Sequence, residues 1–432
     1  MQHKFGALDL IRAGLQDLDR ARTLFDELHN DGIDDDRMRL LLATLEKACD
    51  PDIALSNLVD IIKVMQSQGK DFTNIIADEN SFVRLITVLG VSDEMGKLMR
   101  FRPELVEAAA NDACESHLYN HEQRRAHVLK SVGADPNDHT MPTASLPLAE
   151  AATALRKTYR KQLAAIMAQD ATANDPIEIQ PRISTELSDL ADAALEGALA
   201  IARHEVDGSE HVRFAIIGMG KLGAQELNYV SDVDLIYVVE PADMDTNGMA
   251  LSRIGTKIAT TLQRVCQSVI MGVAEPTLWQ IDGGLRPEGK DGPLVRRLES
   301  HEAYYEQWAE NWEFQALLKA RPVAGDTDLG QAYMDMTRPF VWTASKRDNF
   351  VYDCQQMRKR VEDLIPNPLK DREIKLGRGG LRDVEFTVQM LQLVHGRSDE
   401  ALRTSSTLES LQALAEGGYV SRKQAKKLSW DY

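Results

Sequence analysis

Apolar positions recur at a helical period through the first half of the chain. Leu10/Ile11, Leu15, Leu18, Ala21, Leu24/Phe25 and Leu28 fall on one helical face, as do Ile183, Leu187, Leu190, Ala194, Ala198 and Ile201. Residues 1 to about 205 are therefore predicted to be helical almost throughout. Two stretches rich in Pro, Asn, Asp and Thr interrupt the pattern and are predicted loops: "GADPNDHTMPTASLP" at 133–147 and "DATANDPIEIQPR" at 170–182.

From His211 the period shortens. "VRFAIIG", "VDLIYVV", "TLWQID" and "GPLVRR" are short β-forming runs separated by turns and helical stretches, which predicts a compact mixed region at about 206–300. After Ser300 helical periodicity returns through "HEAYYEQWAENWEFQALLKAR" and continues to the end. The simplest organisation is a helical region at 1–205, a catalytic core at 206–300 and a second helical region at 301–432. The final "AKKLSWDY" stops just after a helical pattern with no tail, so a shortened chain is expected.

Composition narrows the function classes. The chain has 432 residues, 43% hydrophobic and 27% charged, which is ordinary for a globular protein of more than one domain. A formal charge of −17 argues against broad nucleic-acid or membrane-surface binding, both of which need a basic footprint. Cys49, Cys114, Cys266 and Cys354 are scattered, as free thiols in a reducing cytoplasm would be. No signal-peptide core is present, and no window reaches the ~18 apolar residues of a membrane span. His117 and His121 stand at i and i+4, but "HLYNHEQRRAH" is not a zinc-protease helix and reads as a solvated face.

The candidate chemistry lies in "FAIIGMGKLGAQELNYVSDVDLIYVVE", Phe214 to Glu240. Gly218-Met219-Gly220-Lys221-Leu222-Gly223 is a literal G-x-G-x-x-G, the pattern of a dinucleotide-binding turn. Such a turn requires a crossover helix and then a parallel strand, and Ala224–Ser231 leaves little room for one. It also leaves Asp232 and Asp234 without a purpose. Residues i and i+2 of a strand point the same way, and two like charges on one face cost stability unless a cation lies between them. Mg²⁺ suits that position, because it takes a few carboxylates together with substrate phosphate oxygens. The glycine turn then reads as backbone amides approaching a phosphate.

A glycine turn followed by D-x-D resembles the DNA polymerase β nucleotidyltransferase superfamily. "GMGKLGAQELNYVSDVDL" is closer still to the bifunctional glutamine synthetase adenylyltransferase/adenylyl-removing enzymes. "IDGGLRPEGKDGPL", "WEFQALLKARPVAGD" and "IKLGRGGLRDVEFTVQMLQLVHG" match further blocks of that family, so the resemblance runs from Gly218 to Gly396. Gly283-Gly284 replaces the bulkier pair usual before L-R-P.

The resemblance implies an α+β fold: a polymerase β-like core, a mixed sheet with helices, flanked by helical regions. It implies a metal site of Asp232, Asp234 and Asp282 holding Mg²⁺, two ions by the superfamily's habit. It also implies phosphate or nucleotide contacts from Gly218, Gly220, Lys221, Gly223, Ser231 and Arg286. The activity implied for an N-terminal copy is phosphorolytic removal of AMP from a tyrosine of glutamine synthetase, releasing ADP. ATP-dependent adenylylation of the same tyrosine uses the same motifs. Implied partners are glutamine synthetase, phosphate and ADP or ATP, and a P-II type nitrogen-signalling protein.

Other basic residues also cluster: Lys290, Arg296 and Arg297; Lys319 and Arg321; Lys375, Arg378 and Arg382. In so acidic a chain they suggest anion pockets, with surface salt bridges as the competing reading. Tyr305, Trp308, Trp312 and Gln315 share a helical spacing and read as a core stripe. Glu313, Asp383 and Glu385 are candidate supports for the basic side chains.

Overall fold

The computed structural model describes residues 5–70, 72, 78–110, 119–243, 247–370 and 372–432; Cys114 and His117 lie outside them. The chain forms two compact units, one of 1–124 and 157–190 and the other of 125–156 and 191–432.

The first unit is helical. Five of its helices are started by acidic or hydroxyl side chains placed one residue ahead: Asp17, Asp34, Asp50, Asp78 and Ser92 accept hydrogen bonds from first-turn amides. Pro51–Ser67 buries Ala54, Leu55, Leu58, Val59, Ile61, Ile62 and Met65 and packs against Glu79–Val91 and Asp93–Phe101. The predicted loop at 170–182 is shorter than expected. A helix already begins at Pro176 and runs to Glu205. Asp175 accepts from the amides of Ile177 and Glu178, and Pro176 occupies the first helical position, where its missing N–H costs nothing.

The second unit is built on a five-stranded sheet: β1 (Val212–Gly218), β2 (Val233–Pro241), β3 (Ile281–Asp282), β4 (Val295–Arg296) and β5 (Arg321–Gly325). The order is β3-β2-β1-β5, with β4 also on β2. β1 runs antiparallel to β2 from Val212↔Pro241 to Gly218↔Leu235, and antiparallel to β5. β2 pairs in parallel with β3 and β4. Of "TLWQID" only the last two residues form strand. β5 lies where helical periodicity was expected to continue.

Both faces of β1 and β2 are covered, so their sequences are continuous apolar runs. Ala215, Ile217, Ile236 and Val238 join a core with Tyr305, Phe314, Leu329 and Tyr333. On the other side the helix Gly248–Gln267 buries Leu251, Ile254, Ile258, Leu262 and Val265. Its C-terminal carbonyls are held by Arg156, which is 1% exposed and donates to the carbonyls of Val265, Ser268 and Glu275. Among the described residues no helix is long and apolar enough to cross a membrane.

Candidate active site

The antiparallel register of β1 and β2 removes the dinucleotide-binding alternative, which needs parallel neighbours. The helical turn after β1 is only Gly220–Gly223, and the chain then returns directly to β2. The Met219 amide donates to the Asp234 carbonyl at 2.8 Å and ties that turn to the first residues of β2. Gly220 has φ +55°, and a Cβ there would stand 2.6 Å from Asp234 Oδ2. Gly223 packs so closely that a Cβ would fall 1.7 Å from the Lys319 carbonyl. The glycines are thus required by a carboxylate and by a neighbouring backbone.

Asp232 is exposed just before β2, and Asp234 is partly covered within it. Asp282 is the register partner of Asp234 on the adjacent parallel strand, where backbones lie about 4.8 Å apart and partners share a face. Burial pushes the Asp234 carboxyl up to about 6, and the charges of Asp232 and Asp282 add to the effect. A carboxyl that resists ionisation for these reasons is a good ligand for a divalent cation, which removes both penalties. Asp232, Asp234 and Asp282 offer carboxylate oxygens of the kind Mg²⁺ takes, although these oxygens do not all lie within 4.8 Å of one another. Gly283-Gly284 has a local role: the Gly284 amide donates to Asp282 Oδ1 at 2.7 Å.

Beside these acids opens a cavity of about 260 Å³, lined on the sheet side by Gly220, Lys221, Ser231, Asp232 and Asp234. Lys221 is shifted down by burial and by the nearby Lys375. Lys319, Lys375 and Arg382 also line the cavity. Lys319 donates to Glu226 at 2.9 Å and to Thr407 at 3.1 Å. Glu385, pushed up by burial but pulled further down by Lys319 and Arg382, stays an anion, with Arg382 at 2.9 Å.

Arg286 is placed differently from the expectation of an anion contact. Its guanidinium donates to the carbonyls of Gly283, Lys290 and Gly292, closing its own loop, and it is absent from the cavity lining. Other basic residues are likewise paired: Arg321 with Asp192, Arg297 with Glu240 and Arg296 with Glu288.

The helical wall of the cavity was missed by sequence reasoning. The aromatic stripe divides over two helices, Leu298–Gln307 and Asn311–Leu317. Tyr305 is core and Trp308 is 74% exposed, whereas Trp312 and Gln315 line the cavity. Met357 and Val361 come from the helix Phe350–Asp363, and Phe386 and Gln389 from Leu381–His395. Spacing was the available signal. Trp312, Gln315 and Lys319, like Arg382, Glu385, Phe386 and Gln389, recur at helical intervals within the quoted blocks.

A small mixed sheet between helices, with a glycine turn pressed against a D-x-D carboxylate, defines a polymerase β-like nucleotidyltransferase of the α+β class. The family model for glutamate-ammonia ligase adenylyltransferase matches residues 82–336, more than half of the chain, and the chain belongs to that family. A second model, GlnD PII-uridylyltransferase, matches residues 355–432. The chain is 76% identical over 429 residues to the bifunctional glutamine synthetase adenylyltransferase/adenylyl-removing enzyme of Bifidobacterium longum strain DJO10A, covering 99% of this chain and 40% of that protein. The enzyme of the same name from Cutibacterium acnes is 44% identical over 98% of this chain and 42% of its own length. That from Streptomyces avermitilis is 42% identical over 98% and 40%. The chain thus spans about two fifths of the curated relatives it matches.

Proposed function

We propose that this chain removes AMP from an adenylylated tyrosine of glutamine synthetase by phosphorolysis. A phosphate oxygen attacks the AMP phosphorus, the bond to the tyrosine oxygen breaks, and ADP and the free tyrosine leave. The core at 206–300 supplies the acids, and the helical regions at 1–205 and 301–432 provide docking and regulation. The observation that carries this reading is the pairing of Asp234 with Asp282 beside Gly220, with cationic side chains on the same cavity.

Asp232, Asp234 and Asp282 would hold Mg²⁺, expected as two ions, which when bound lowers the charge on the phosphate oxygens and on the leaving phenolate. Phosphate is already ionised at neutral pH, so no strong base is needed. The chain's own task is to bring two anions together in line. Lys221, with the Gly218–Gly223 turn and Ser231, grips one phosphate; Lys375 and Arg382 serve the other in place of Arg286.

The relatives' names carry both directions of transfer, so ATP-dependent adenylylation of the same tyrosine is the second reading. A P-II type signalling protein is the proposed regulator, supported by the match of 355–432, and the cytoplasm the proposed compartment. The test supplies phosphate with adenylylated synthetase in one assay and ATP with unmodified synthetase in the other. ADP release in the first supports phosphorolysis, and AMP incorporation only in the second reverses the direction. Asp232→Asn with Asp234→Asn should lower either activity by about a thousandfold or more, several kcal/mol of lost stabilisation. Undiminished turnover in that double variant defeats both directions.

A further inference from the structure

The apolar wall of the cavity contains two buried amides that the chemistry above leaves unused. Gln315 and Gln389 are 3% and 8% exposed, and both line the cavity. Gln315 Nε2 donates to Gln389 Oε1 at 2.8 Å. Gln315 Oε1 is then buried with no hydrogen-bond partner, a costly state for an amide oxygen. Among the described residues the Gln389 side chain makes no hydrogen bond other than the one to Gln315, so its Nε2 is also uncommitted. Two amides joined in series always leave one acceptor and one donor over, whichever way the pair is turned. Around them stand Trp312, Met357, Val361 and Phe386, each partly exposed into a cavity whose other side carries the acids and Lys221.

We propose that Gln315 and Gln389 are the base-reading pair of this site and select an adenine nucleotide, with Trp312 as the stacking surface. The inference rests on the reading given above, which already names AMP and ADP, and assigns the side chains that read their base. Adenine presents an N6 amino donor beside a ring-nitrogen acceptor, the complement of one free amide oxygen and one free amide N–H. The N6 amino group satisfies Gln315 Oε1, and Gln389 Nε2 donates to the ring nitrogen. A ring of this size fits the apolar lining, and a half-buried indole is a common partner for a purine face.

The experiment measures binding of ADP and of purine riboside diphosphate, which lacks only the amino group, by calorimetry with Mg²⁺ present. The intact chain should bind ADP about tenfold more tightly, the worth of a buried hydrogen bond. In Gln315→Leu that preference should vanish, the two nucleotides binding alike, and Trp312→Ala should weaken both equally. Gln315→Glu can only accept, so Gln389 must turn its N–H toward it and present a second acceptor. The pair then suits the two donors of guanine, and the ratio of ADP to GDP affinity should fall or invert. Equal affinity of the intact chain for ADP and the deaminated analogue overturns the inference without any variant, and leaves phosphorolysis standing. So does an unchanged preference in folded Gln315→Leu. Failure of the intact chain to bind any adenine nucleotide overturns the functional reading as well.

Discussion

Asp234 carries opposed demands on one side chain. Its ordinary carboxyl value of 3.8 is raised to about 6 in the folded chain, so the native state holds this proton more tightly than the unfolded one. Stability of the ion-free protein must therefore fall as pH rises from about 4 to 6 and stay lowered above that, by about 3 kcal/mol at most. Below both values the penalty is absent. Asp234→Asn removes the penalty, so with chelator its melting temperature at pH 8 should exceed that of the intact chain and match it more nearly at pH 4. Added Mg²⁺ should raise the melting temperature of the intact chain far more than that of the variant. Thermal melts at the two pH values check both statements. The same residue shows what a sequence can reveal. Strand alternation places Asp234 within β2, whereas Asp232 lies one residue ahead of the strand, where alternation does not fix its direction. Arg286 is not legible, since the long side chain that a motif places near a phosphate can equally turn back to its own loop's carbonyls.

At the scale of elements, Glu226 ties the loop after the glycine turn to the helix Thr407–Glu416. It accepts from the Thr407 amide and hydroxyl, from Ser406 Oγ and from Lys319 Nζ. Glu226→Gln leaves the 7%-exposed Lys319 without its nearest counter-charge. Glu385, 4.0 Å from Lys319 Nζ, remains as counter-charge, so the expected cost is about 2 kcal/mol of stability, the worth of a hydrogen bond to a buried charge. Amides of 407–416 should exchange faster, and the proposed AMP removal should slow, in hydrogen-exchange and turnover measurements on the same variant. This tie joins residues 180 positions apart, and no local pattern announces it. β5 was hidden for a different reason. Five residues containing Pro322, directly after a helical run, carry no alternation to detect, and proline is tolerated there because β5 is an edge strand. β1, long and apolar, was legible from end to end, and β2 up to its last two residues, Glu240 and Pro241.

For the whole molecule, the compositional change at His211 finds where the sheet begins but not how far the unit around it extends. Residues 125–156, with their predicted loop at 133–147, and the helical 191–205, all remote from the motifs, belong to the same compact unit as the sheet. An excised 206–300 piece would lack β5, opening the outer edge of β1, and would expose Ala215, Ile217, Ile236 and Val238. Such an edge invites strand pairing between copies. Gel filtration should find that piece associated or insoluble, while the full chain, tested in parallel, elutes without aggregate.

β3 is only two residues long and meets β2 at two positions, Ile281 and Asp282. So slight a hem can unfasten by itself, carrying one carboxylate away while Asp232 and Asp234 stay put. In the proposed function an ion held by Asp282 together with Asp232 and Asp234 would fasten that hem, and reciprocity would follow: whatever presses β3 home, a docked protein included, would strengthen the grip on the ion by the same factor.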